Sequence, residues 1–416
     1  MTRHQAGDAT VQWTGVAMSR ALLGTLMLFF VIGLSGCATL TERLPAVPLA
    51  KAAEVVPLGI ADARFYMNGD AEKVRRIAGI VAEKAHRAAA NGLPGVSAIE
   101  SSYLAISGGG DDGAFGAGLL LGWTARGDRP SFAIVTGIST GALSAPFAFL
   151  GPEYDDKLKA VYTDVTAEDI FTKRPMVFAA LAEDAMTDTA PLRNLIAKYL
   201  DKEMVRRIGD EYDKGRLLLI ATTNLDQSQS VIWNIGAIAK SDDPRARELI
   251  IDVLRASASL PGVFPPVMLD VVVDGQRYQE MHVDGGTVAQ SFLYPTSFSL
   301  KWIDKKTGKT RKRSAYVIRN GRLTPPEDTV KKQTLSIVGH TVSTMIASSG
   351  VNDTYRIYLE TKRDGVAFNL AYIDSDFTTP YTGPFDKTYM RKLFTYGFEK
   401  GRTGYRWQTK PPEYVE

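Results

Sequence analysis

The chain has 416 residues, 45% of them hydrophobic and 23% charged, which is a globular composition with enough apolar mass for one large domain or two modest ones. Forty-nine Lys and Arg against 46 Asp and Glu leave a net charge of +3, too small to argue for a nucleic-acid partner or a strongly anionic surface. A single cysteine excludes an intramolecular disulfide and any cysteine-cluster metal site.

That cysteine, Cys37, matters through its position. Arg20 precedes an uncharged, mostly apolar run from Ala21 to Leu34, too short and too glycine-punctuated for a comfortable membrane span but suited to the h-region of a secretory signal. The run ends in Leu34-Ser35-Gly36-Cys37, which resembles a bacterial lipobox. The resemblance implies a signal peptide over 1–36, removed to leave an acylated Cys37 as the new N-terminus; an incidental cysteine after a plain leader is the alternative. Ala38 stands where an Asp would signal retention at the inner membrane, so the expected location is the outer membrane, facing the periplasm. Met18-Ser19-Arg20 also provides a second plausible start with a shorter n-region.

Residues 37–70, rich in Ala, Pro and Leu without a period, read as a tether ending in a first strand. The rest, 71–416, reads as one domain. Val74, Ile77, Ile80, Val81 and Ala85 mark an amphipathic helix over 71–91. A βαβ rhythm follows: strand 102–107, buried helix 114–125, strand 132–136, buried helix 141–150, then several short helices over 151–215, placed to cover a site. Arg216–Thr223 is a continuous apolar strand of the kind found inside a parallel sheet covered on both faces, with 231–235 beside it. Helix 249–257, a hairpin of 267–273 with 277–280, strand 315–319 and helices at about 330–362 and 385–402 complete the pattern. The fold class is α/β, with a mainly parallel central sheet flanked by helices in three layers.

Gly137-Ile138-Ser139-Thr140-Gly141 sits between a strand and a helix, which is the context of a nucleophile elbow: flanking glycines permit a sharp turn that exposes the serine over the positive end of the helix. Thirty residues upstream, Ser107-Gly108-Gly109-Gly110-Asp111-Asp112-Gly113 also links a strand to a helix. Successive glycines let the backbone aim its N–H groups at one point, as a tetrahedral oxyanion requires. Gly108, Gly110 and Gly113 also satisfy a dinucleotide GxGxxG pattern, but the acidic residue that fold wants about twenty positions on is missing; a bare structural turn is the other alternative. Asp284-Gly285-Gly286, taken alone, is a turn signature.

The order of these three motifs resembles the patatin-like phospholipases, and Ala256-Ser257-Ala258-Ser259-Leu260-Pro261-Gly262-Val263-Phe264-Pro265-Pro266 is similar to that family's ASxAxPxxFPP segment. The four motifs span Gly108–Gly286 within a core of about 100–290. The resemblance implies a patatin-like three-layer fold and lipid acyl hydrolysis by a Ser-Asp dyad. Ser139 would be the nucleophile, Asp284 its base, and the N–H groups of Gly108, Gly109, Gly110 and Asp111 the oxyanion hole. It implies membrane lipids as substrate, no cofactor and no metal. One departure stands out: Asp112 occupies the place of the family's Arg or Lys, so its carboxylate should point away or be paired. Two adjacent carboxylates lack the alternating spacing of a calcium loop, and surface solvation is the reading for Asp111 and Asp112.

Two rivals remain open at this level. A Ser-His-Asp triad would fit the order Ser139, Asp284, His340, although the chain has only four histidines, with His4 in the leader, His86 on the first helix and His282 two residues before Asp284. A non-catalytic envelope lipoprotein could keep the fold as a binding module. The aromatic residues Tyr396, Tyr405, Trp407 and Tyr414 suit either a membrane-facing rim or a cap on the core.

Overall fold

A computed structural model of the chain describes residues 43–93, 100–173, 187–324 and 330–414. The signal segment, the lipobox and Cys37 lie outside these residues. The chain divides into Met1–Arg43 and a body, Leu44–Glu416.

In chain order the strands of the body are β1 (Arg64–Tyr66), β2 (Glu100–Ile106), β3 (Phe132–Gly137), β4 (Thr172–Lys173), β5 (Thr187–Asp188), β6 (Leu217–Asn224), β7 (Gln229–Asn234), β8 (Val267–Val273), β9 (Gln276–Asp284), β10 (Lys312–Arg319) and β11 (Ala367–Tyr372). Among the described residues β4 and β5 pair with each other and the other nine form one sheet. Its centre, β11-β10-β2-β3-β6, is parallel throughout. The antiparallel strands β7 and β1 extend it beyond β6, and the β8–β9 hairpin joins it through β9. Helices cover both faces: Phe115, Leu119, Phe149, Leu218 and Ile250 pack in one core, and Ile77, Tyr103, Leu219, Ile357 and Phe368 in the other. Continuous apolar runs such as β6, buried at all eight positions, are what two covered faces demand.

Most elements fall where the residue pattern places them, including the helices Ala71–Ala90, Gly113–Arg126, Thr140–Leu150 and Ala246–Ser257. Three differences matter. The supposed tether is folded from Pro45 on: the Pro45 carbonyl accepts the Gln279 N–H at 3.0 Å, and Val47 and Val55 are buried with Val271, Val273 and Tyr278 of the hairpin. Its apolar residues lack a period because they pack as single side chains from short 3-10 turns. The second hairpin strand runs four residues past its expected end, to Asp284. Strand β11 had no counterpart in the sequence reading; it forms the sheet edge beside β10.

The described helices of the 151–215 insertion brace the elbow helix. The Tyr162 hydroxyl donates to the Thr140 carbonyl at 2.9 Å and lies 2.8 Å from Ser144 Oγ. The C-terminal aromatics turn inward: Trp407 lies 5.0 Å from both Trp123 and Tyr316, and Tyr414 lies 4.8 Å from Tyr358. They cap the core.

Candidate active site

Strand pairing explains how two residues 145 positions apart come together. At its carboxyl end β3 pairs Gly137 with Ile220 of β6 and then leaves the sheet, while β6 continues to Asn224. The vacated edge is taken by the last residues of β9, with Thr223 opposite Val283 and Thr222 opposite Asp284. Asp284 therefore stands two residues along β6 from Gly137, which is also two residues from Ser139, a separation of roughly 7 Å along the strand.

Ser139 itself has φ 55° and ψ −126°, a conformation that non-glycine residues avoid and that turns its side chain out of the sheet. The turn is tight enough that a Cβ on Gly137 would come within 2.4 Å of the Gly141 carbonyl oxygen. Two residues of the 256–266 segment secure it. Ser257 Oγ accepts the Ser139 N–H at 3.0 Å and donates to the Ala221 carbonyl at 2.7 Å, and the Ser259 carbonyl accepts the Asp284 N–H at 2.9 Å. The ASxAxPxxFPP-like segment thus ties elbow, β6 and Asp284 into one unit.

The Ser139 side chain stands close enough to the Asp284 carboxylate to lower its pKa, and Asp284 Oδ1 accepts the Gly286 N–H at 2.7 Å. Burial pushes the Asp284 carboxyl up to about 7, against the opposing pull of Ser139 and the Gly286 N–H. Among the described residues no imidazole intervenes. His282 is buried, with Nδ1 2.9 Å from Thr222 Oγ1 and Nε2 3.3 Å from Glu280, whose carboxylate pairs with buried Arg64. Burial lowers its pKa, and its role is to satisfy β9 against β6 and β1. His340 and His86 are exposed on their helices.

The glycine loop crosses next to the elbow, since a Cβ on Gly108 would lie 3.3 Å from the Ser139 Cβ. One of its expected donors is already engaged: the Gly108 N–H donates to the Gln290 carbonyl at 3.0 Å. Among the described residues no acceptor meets the N–H groups of Gly109 and Gly110, both exposed, or that of Thr140 at the start of the elbow helix. Gly109 has φ 150° and sits where a side chain would strike the Asn320 carbonyl. Asn320 and Gln290, neither singled out by the sequence, hold the loop. Asn320 donates from its backbone N–H to Ser107 Oγ at 2.9 Å and from Nδ2 to the Ser107 carbonyl at 3.0 Å. Gln290 Nε2 donates to the Gly286 carbonyl at 2.8 Å, linking the loop to the Asp-Gly-Gly turn.

Asp111 and Asp112 are not solvated surface groups. They are half-buried under the segment that leads into the last helix. The Tyr389 hydroxyl donates to Asp112 Oδ1 at 2.7 Å, Asp111 Oδ2 accepts the Phe385 N–H at 3.1 Å, and the Tyr381 side chain lies beside Asp111. Burial pushes Asp112 up to about 7, with Tyr389, Arg322 and Arg319 pulling the other way. Asp112 is therefore paired, as a carboxylate beside an oxyanion loop has to be. This clamp joins residues about 270 positions apart, beyond the reach of any local pattern.

A parallel α/β sheet carrying a strained serine elbow beside a glycine loop defines an acyl-hydrolase architecture. Residues 104–295 match the family model described as patatin-like phospholipase. No curated protein matches the chain. Among solved structures it is similar to VipD from Legionella pneumophila, at 12% identity over 73% of this chain and 66% of that one, with a TM-score of 0.31. It is also similar to the human GIVD cytosolic phospholipase A2, at 11% identity over 75% of this chain and 52% of that one, again with a TM-score of 0.31. The chain thus spans less than two thirds of either solved chain.

Proposed function

We propose that the protein hydrolyses carboxylic esters of membrane glycerophospholipids through an acyl-enzyme on Ser139, with Asp284 as the base. The observation that carries this reading is the placement of a strained, outward-turned serine beside a buried carboxylate. A carboxylate at its ordinary pKa is a poor base for an alcohol; one held near 7 is matched to neutral conditions. Ser139 Oγ attacks the ester carbonyl as Asp284 takes its proton, and the carbonyl electrons move onto oxygen. The N–H groups of Gly109, Gly110 and Thr140 stabilise that oxyanion. Collapse breaks the ester C–O bond, and the proton passes from Asp284 to the leaving alcohol. Water, deprotonated by Asp284, then releases the fatty acid and restores Ser139.

The residues from Arg20 to Cys37 support a further part of the reading: the protein is lipid-anchored through Cys37 at the periplasmic face of the outer membrane, where tethering raises the local concentration of lipid esters. A fluorophosphonate probe with phospholipid hydrolysis tests the chemistry, using wild type, Ser139→Ala and Asp284→Ala side by side. Labelling of Ser139→Ala equal to wild type, or wild-type protein inert towards both, refutes it. Incorporation of an alkyne-tagged fatty acid by wild type but not by Cys37→Ala tests the anchor.

A further inference from the structure

The helix Thr334–Asp364 carries the chain from β10 to its parallel neighbour β11, and its 31 residues exceed what that crossover needs. At 1.5 Å per residue it is about 46 Å long, while a strand of eight residues spans roughly 26 Å. Arg319, the last residue of β10, shows where the excess lies: its guanidinium donates to the Ala347 carbonyl at 3.1 Å and lies against Gly350. Packing begins there, with Gly350, Asp353, Thr354 and Ile357 buried, whereas every residue from Ile337 to Met345 is exposed. Roughly 13 residues, about 20 Å of helix, therefore project past the carboxyl end of β10. Because β10, β2 and β3 are parallel, this is the end of the sheet that carries Gly108–Gly110 and Ser139.

The projection is amphipathic. Val338, Val342, Met345 and Ile346 fall within an arc of about 100°, while the opposite side carries His340, Ser343 and Thr344 with one exposed apolar residue, Ile337. Val338, Val342 and Met345 are 54%, 42% and 67% exposed, so nothing among the described residues covers the apolar stripe. Lys331 and Lys332 are exposed at its root, and no Asp or Glu occurs from Thr329 to Asn352, the preceding acidic residues being Glu327 and Asp328. An exposed apolar stripe, a largely polar opposite face and flanking lysines form a pattern suited to the plane of an anionic lipid interface.

We propose that the projecting turns of Thr334–Ile346 dock the protein on an anionic lipid surface. Val338, Val342 and Met345 enter the acyl boundary, Lys331 and Lys332 meet headgroup phosphates, and the carboxyl end of the sheet is held against the bilayer. The purpose of this docking rests on the phospholipase reading above; the surface itself does not.

The test uses the full chain with Cys37→Ser, adding single cysteines by Val338→Cys, Val342→Cys or Met345→Cys on one face and His340→Cys or Ser343→Cys on the other. Each is labelled with an environment-sensitive NBD fluorophore and titrated with phosphatidylcholine vesicles with or without phosphatidylglycerol; a thermal melt confirms that each variant is folded. The expected result is a blue shift at 338, 342 and 345 but not at 340 or 343, stronger on anionic vesicles, with Lys331→Gln and Lys332→Gln each weakening the titration about fivefold. Silent labels, equal shifts on both faces, indifference to phosphatidylglycerol, or labels already blue-shifted without vesicles, as for a helix folded onto the body, would each overturn the proposal. Ser139-dependent hydrolysis of a short soluble ester, measured on the same samples, separates the two readings: its loss with the shifts intact removes the phospholipase and leaves the docking surface.

Discussion

Asp284 and Asp112 are both pushed up to about 7, and in both the largest cause is burial. Their neighbourhoods differ. Asp284 has beside it a serine held in a strained elbow, and its backbone is locked to β6 and to Ser259. Asp112 receives the hydroxyl of Tyr389, from a helix that ends the chain's last long excursion, and faces Arg319 and Arg322. A raised pKa is therefore a mark of burial common to both sites, and what separates a base from a structural carboxyl is the nucleophile within its reach.

The widest gap between the two should appear in turnover. Ser139→Ala and Asp284→Asn are expected to lower ester hydrolysis by about 10²- to 10⁴-fold, while Asp112→Asn stays well inside that lower bound. Equal losses in Asp284→Asn and Asp112→Asn, measured as kcat/KM on one phospholipid, would erase the distinction. Ser257→Ala comes next: it strips the acceptor from the Ser139 N–H and the donor from the Ala221 carbonyl. Chemical denaturation should show a cost of about 1–3 kcal/mol, accompanied by a lower kcat. Tyr389→Phe should cost a similar amount by leaving the Asp112 carboxyl without its donor, but with kcat nearly intact.

The pH dependence sharpens the comparison further. For both carboxyls the folded state keeps a proton that the unfolded chain, with a carboxylate pKa near 3.9, has already released, so stability is full below about pH 4 and declines as pH rises to about 7. Asp112→Asn should flatten that decline in thermal melts. The same titration has the opposite sign for activity, since only ionised Asp284 accepts the Ser139 proton: kcat/KM should rise through about pH 7 in wild type and in Asp112→Asn alike. A rise that disappears in Asp112→Asn would assign the titration to the wrong carboxyl. The smallest effect expected is that of His340→Ala, which removes an exposed side chain and should leave hydrolysis unchanged; a large loss would revive a histidine-based triad.

Much of the site was legible because its parts are short-range. The elbow 137–141 and the glycine loop 107–113 each impose their geometry within a few residues, through the absence of side chains at turns that cannot hold them, and apolar runs as continuous as β6 announce a sheet covered on both faces. Other features carried no local mark. Gln290 and Asn320 are ordinary polar residues until tertiary contact sets them against the glycine loop, and β11, with Asn369 at its centre, becomes a strand only because β10 provides an edge. The 45–55 stretch looked like a linker because single apolar side chains, rather than a periodic face, anchor it to the hairpin.

By itself, then, the sequence determined the α/β class, the order of the central elements and the turn that exposes Ser139, all consequences of backbone sterics and of periodicity within a dozen residues. Only the tertiary structure decided which donors of the glycine loop are free, what Asp112 touches, and that Asp284 lies beside Ser139. These outcomes depend on strands meeting edge to edge across more than a hundred residues, with partners chosen by the packing of the whole sheet.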